Sequence, residues 1–113
     1  MHELNICHNI LNLLQAQANK SHFHRIKTLW LEIGDLAGIE IDALQFSFPI
    51  AASSTLAKDA TLEIIRIPGR GFCKFCKSDI AIQTLFSPCL QCHNYDYHIT
   101  QGKELRILKM EVE

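Results

Sequence analysis

The chain has 113 residues, 48% hydrophobic and 20% charged, with a formal net charge of −1 from 11 basic and 12 acidic side chains. This is an ordinary globular mixture, enough for one domain, or for one modest core plus a small stapled module. It lacks the basic excess of a domain built on phosphate contacts, which argues against nucleic acid as the main partner, and no run approaches the ~20 apolar residues that span a bilayer.

Met1-His2-Glu3-Leu4 opens the chain without the basic n-region or apolar run of a secretory signal. The expected compartment is the cytoplasm. Five cysteines stay reduced there, which favours metal binding over disulfides.

Residues 3–18 read as an amphipathic helix. Leu4, Cys7, Leu11, Leu14 and Ala18 recur at spacings of three and four, and Ile10 widens the stripe. Residues 26–33 are rich in β-branched and aromatic types and read as a strand, with Leu29, Leu31 and Ile33 on one face. Gly34 and Gly38 bracket a loop. A second helix is expected over 42–52, with Ile41, Leu44 and Phe48 inward, although Pro49 removes one of its hydrogen bonds. Residues 61–67 read as a second strand, and Pro68-Gly69-Arg70-Gly71 ends it. A cysteine module occupies about 71–98. After Gln101-Gly102, residues 104–112 read as a third strand. That strand finds a sheet partner only by returning to the first unit. The expected fold is therefore α+β: a small three-stranded sheet with two helices, plus an inserted zinc-ribbon-like module. The expected domains are 1–68 with 102–113, and 69–101.

Cys73-x2-Cys76 and Cys89-x2-Cys92 stand twelve residues apart. A two-residue gap lets both thiolates of a tight knuckle point at one ion, and two knuckles supply the tetrahedral S4 set of structural Zn²⁺. Iron or an iron–sulfur cluster accepts the same donors. Cys89-Leu90-Gln91-Cys92-His93 also matches a haem-attachment signature, but that chemistry needs export and leaves the first pair idle. A redox C-x-x-C does not normally come as two copies. Cys7 lies on the apolar helix stripe and reads as a small buried hydrophobe. His93 and His98 read as exposed or outer donors, since four cysteines satisfy zinc; the competing reading is that one of them replaces a cysteine or senses pH beside the ion. His22 and His24 read as loop residues from which extra metal contacts stay open.

The first three residues offer a different chemistry. An amine, the His2 imidazole and nearby deprotonated amides can close fused chelate rings around Ni²⁺ or Cu²⁺. Glu3 can add its carboxylate or its amide. His8, one turn on, ranks below His2.

With these motifs in place, the chain resembles the HypA/HybF family of hydrogenase nickel-incorporation metallochaperones. The resemblance runs through Met1-His2-Glu3-Leu4, Gly34-Asp35-Leu36, Leu44-Gln45-Phe46-Ser47-Phe48, Ala60-Thr61-Leu62-Glu63-Ile64 with Pro68, both cysteine pairs, Gly102-Lys103-Glu104-Leu105 and Met110-Glu111-Val112. One departure is that Pro88 precedes Cys89, where many relatives carry a proline directly after that cysteine. The resemblance implies structural Zn(II) on Cys73, Cys76, Cys89 and Cys92. It implies transient Ni(II) on His2, with the Met1 amine and the His2 and Glu3 amides. It makes 1–68 with 102–113 the nickel-binding domain. It implies delivery of nickel to the [NiFe]-hydrogenase large subunit with a HypB-type GTPase, urease maturation factors being further candidate partners, and a monomer or homodimer. The competing readings are a zinc-ribbon adaptor or nucleic-acid module with no nickel role and, last, an enzyme. A closed S4 site leaves no position open for catalysis.

Overall fold

A computed structural model describes residues 2–113. The elements are α1 (His2–Ser21), β1 (Ile26–Gly34), α2 (Ile41–Ala52), β2 (Thr61–Ile67), β3 (Arg70–Cys73), β4 (Ser78–Ala81), β5 (Tyr97–Gln101) and β6 (Leu105–Val112). None of the described helices is long and apolar enough to cross a membrane. Two compact units are distinguished: Met1–Leu31, Ile39–Glu63 and Ile107–Glu113 form one, and Glu32–Gly38 with Ile64–Arg106 the other.

In the first unit, α1 packs on α2. The expected stripe is the buried one: Cys7, Ile10, Leu11, Leu14 and Ala18, with Leu4 half-buried at its start. Each fully buried large side chain contributes about 1.5–3 kcal/mol. The helix runs three residues past the expected end. It stops where His22 turns to φ 62° and donates its N–H to the Ala18 carbonyl at 2.8 Å. This is a left-handed cap made without glycine, so no glycine marks it in the sequence. In α2, Leu44, Ser47, Phe48 and Ala52 are buried, while Ile41 is only half-buried. Pro49 sits inside this helix and is exposed. The carbonyl it leaves unpaired belongs to exposed Gln45, where water can satisfy it.

One sheet has the order β2-β1-β6. Ile26 N–H bonds to the Leu56 carbonyl at 2.9 Å, and Asp35 N–H to the Ile67 carbonyl at 2.8 Å. The two contacts advance together, so β1 and β2 run parallel, and α2 is their crossover. Arg25 and Glu113 exchange backbone bonds, and Gly34 N–H reaches the Glu104 carbonyl at 2.8 Å, which makes β6 antiparallel to β1. The last strand thus returns to the first, as its sequence position requires. Leu29, Leu31 and Ile33 are buried. On the other face Thr28 donates to Glu111 at 3.1 Å, and the Lys109 ammonium lies 4.7 Å from the Trp30 ring centre.

The second sheet has the order β4-β3-β5, with β3 antiparallel to both neighbours. Its core is Leu36, Cys73, Ile80, Ile82 and Cys89, with Tyr97 and Ile99 packed against it. Backbones approach closely at Gly34, Gly69 and Gly102. A Cβ on Gly34 would lie 1.9 Å from the Gly102 oxygen, and one on Gly102 (φ +116°) would lie 2.7 Å from the Gly69 Cα. No side chain fits there.

Candidate metal centre

The two cysteine pairs are built alike. Lys77 N–H donates to the Cys73 carbonyl at 2.8 Å, and His93 N–H to the Cys89 carbonyl at 2.8 Å. Each bond closes one helical turn around a C-x-x-C pair. The residue after each second cysteine then leaves the turn in the left-handed region: Lys77 at φ 52° and His93 at φ 63°. β3 delivers Cys73 at its last residue. The second knuckle is anchored by Cys89 N–H on the Asn94 carbonyl at 2.8 Å.

The four sulfurs lie within 4.8 Å of one another. Cys73 and Cys92 Sγ are 3.6 Å apart, and Cys76 and Cys89 Sγ 3.8 Å. A tetrahedron with Zn–S bonds of ~2.3 Å has edges of about 3.8 Å, so the spacing fits a single tetrahedral ion. A multi-iron cluster would hold the sulfurs further apart. None of the five cysteines is joined in a disulfide, and Cys73 and Cys89 are buried.

The electrostatics of the four thiols suit a cation. Asn94 aims its backbone N–H and its side-chain amide at Cys92 and holds that thiol down to about 6; the Nδ2–Sγ distance is 3.5 Å. Hydrogen bonding to Cys92, followed by burial, pushes Cys76 up to about 12. Without an ion, a second thiolate so close to the first is disfavoured. A divalent ion ionises all four and relieves the repulsion. The same cage leaves no open position for a substrate or water.

Among the described residues these four cysteines are the only such group of metal-ligating side chains. His93 and His98 are not in it. His93 is the exposed exit residue of the second knuckle, and the His98 ring lies 5.8 Å from that of Phe72. Asn94 was not legible as a site residue. Its only sequence signal is its place two residues after a cysteine pair.

At the other expected site, Met1 lies outside the described residues. His2 is exposed at the first position of α1. The Glu3 carboxylate accepts the Glu40 N–H at 3.3 Å, at the N-cap residue just before α2. Its own backbone N–H and that of Glu40 hold this carboxyl below the usual range. Amides in the first turn of a helix have no intrahelical acceptor, so those of His2 and Glu3 carry protons that no helical bond retains. His22 and His24 follow the far end of α1. Its 20 residues span about 30 Å, so neither can share an ion with His2 in one protomer. His8 is exposed on α1.

A family model described as hydrogenase/urease nickel incorporation, metallochaperone, hypA matches residues 1–112. The chain is 43% identical to the hydrogenase maturation factor HypA of Azotobacter chroococcum mcd 1 over 113 residues, all of both chains. It is 41% identical to that of Alkalilimnicola ehrlichii, again over both full lengths. The solution structure of the Ni metallochaperone HypA from Helicobacter pylori superposes with a TM-score of 0.70 at 27% identity, covering 97% of this chain and 96% of that one.

Proposed function

The chain belongs to the HypA family of hydrogenase/urease nickel-incorporation metallochaperones, and on that premise we propose that it carries nickel at its N-terminus and helps insert it into [NiFe]-hydrogenase. Cys73, Cys76, Cys89 and Cys92 hold structural zinc. The observation that carries the zinc assignment is the sulfur spacing of 3.6 and 3.8 Å across the two knuckles. Zinc supplies the folding energy that a module with so few buried side chains lacks, on the order of 10–16 kcal/mol in small peptides.

Nickel is cargo. The His2 imidazole, the Met1 amine and the His2 and Glu3 amides are its donors, an all-nitrogen set suited to Ni²⁺. Glu3 acts through its amide, because its carboxylate is engaged with Glu40. A cation at a helix N-terminus opposes the helix dipole by about 0.3–1 kcal/mol. That opposition favours release, as delivery requires, whereas a closed S4 cage retains its ion. The reading places the nickel function in 1–68 with 102–113 and the zinc module in 69–101. It places the protein in the cytoplasm as a monomer or homodimer without catalytic turnover. A HypB-type GTPase and the hydrogenase large subunit are its partners, with urease maturation factors a further set.

The test is His2→Ala. Nickel affinity should fall to background while one zinc per chain and the fold remain. Unchanged nickel affinity would refute the assignment and favour a zinc-ribbon adaptor with no nickel role.

A further inference from the structure

β5 is an edge strand of the module's sheet, with β3 on one side and, among the described residues, no strand on the other. Its sequence, Tyr97-His98-Ile99-Thr100-Gln101, contains no lysine, acidic residue or proline. Such residues are the usual means by which an exposed edge is kept from pairing. A register shift against β3 falls at Arg70/Gly71, so Tyr97–Ile99 remains regular.

Beside this edge lies a groove of about 450 Å³ lined by Leu85, Phe86, Tyr95, Tyr97, Ile99 and Lys103. Its lining is mostly apolar. Phe86 is 88% exposed and sits at φ 67°. For a bulky aromatic that is a strained backbone, which costs of order 1–3 kcal/mol and persists only where surrounding bonds enforce it. Those bonds are present. Ser87 donates to the Thr84 carbonyl through both N–H and Oγ, the latter at 2.7 Å, and the Tyr97 hydroxyl donates to the Ser87 carbonyl. The turn thus holds Phe86 out over the groove instead of letting it fold into the core. At the rim, Lys103 has no ion-pair partner among the described residues. Its neighbour Glu104 is engaged by the Gly102 N–H at 2.7 Å.

We infer that this groove and the β5 edge form a docking site for an extended peptide segment of a partner protein, apolar at alternate positions and acidic where it meets Lys103. Strand addition joins the backbones, and alternate side chains drop between Phe86, Tyr95 and Ile99. The unpaired Lys103 charge selects an acidic segment over a basic one. The site lies within one compact unit and involves no nickel ligand, so it stands or falls apart from nickel loading.

The probe is a synthetic eight-residue peptide of alternating leucine and threonine with glutamates at both ends, added to the full zinc-loaded chain. Amide NMR shifts are expected at residues 97–101, at Phe86 and at Lys103. Phe86→Ala and Lys103→Glu should each weaken binding by about tenfold, with spectra otherwise unchanged. Strand addition uses only every second peptide N–H. Of two peptides N-methylated at alternate residues, one should bind and the other should not. The proposal is overturned by no shifts at millimolar peptide, by equal binding of both N-methylated forms, or by unchanged affinity in Lys103→Glu. Broadening of the same amides with protein concentration alone would assign the edge to a second copy and also overturn it.

Discussion

Lys77 and His93 share one backbone strain, which gives a quantitative handle on the zinc module. Each follows a cysteine pair, and each has positive φ, 52° and 63°. A left-handed residue with a Cβ costs roughly 1–2 kcal/mol. Glycine removes that cost but adds freedom to the unfolded chain, worth about 0.4–1 kcal/mol. His93→Gly should therefore stabilise the knuckle by about 0.5–1 kcal/mol. Because zinc binding and folding of such a module are one equilibrium, zinc affinity should rise about two- to fivefold. Competition against a chromogenic chelator at fixed pH measures it. His93→Ala keeps the Cβ and should give no gain, and Lys77→Gly should match His93→Gly. Weaker zinc binding in His93→Gly would refute the reasoning, because it would mean that the imidazole supports the ion and the strain does not matter.

Other consequences follow from local geometry. Gly34→Ala drives a methyl into the Gly102 carbonyl, 1.9 Å away. It should cost about 3 kcal/mol or more and lower the thermal midpoint by roughly 10 °C, read by circular dichroism. The Glu3 carboxyl has a folded pKa below its ordinary 4.5. Its bond to Glu40 is therefore present at neutral pH and lost as pH falls through the folded value. The Glu40 amide resonance should titrate with a midpoint below 4.5 and stay flat in Glu3→Gln. Burial raises the Cys7 thiol above its ordinary 9.0, so iodoacetamide at pH 8 should label it only after unfolding, as mass spectrometry would show. Cys73→Ala or Cys92→Ala should release the zinc and unfold the module. One tightly retained zinc in either variant would count against that expectation.

Much of this fold is legible in the sequence because apolar spacing is a direct record of burial. The α1 stripe from Cys7 to Ala18 and the Leu29, Leu31, Ile33 face of β1 follow the periods of their elements. The four-cysteine cluster follows from ligand spacing alone. What escapes is structure without a local marker. The α1 stop relies on His22 in a conformation that glycine usually signals. Strands β3, β4 and β5 are four or five residues long, and only the alternation of Ile80 with Ile82 and of Tyr97 with Ile99 hints at them. Leu36 is distant in sequence from the cysteines, yet it packs in their core. The hydrogen bonds from Asn94 to Cys92 and from Tyr97 to Ser87 depend on turns that no periodicity encodes.

The central claim is that two metals occupy opposite ends of the chain's chemistry, zinc on the cysteines and nickel on the first residues. Metal analysis of the protein with its native N-terminus, alongside a form extended by an N-terminal tag, tests this most directly. The native form should carry one zinc and bind about one nickel. The extended form displaces the Met1 amine from beside His2, so it should keep its zinc and lose nickel binding. Full nickel binding by the extended form would contradict the account.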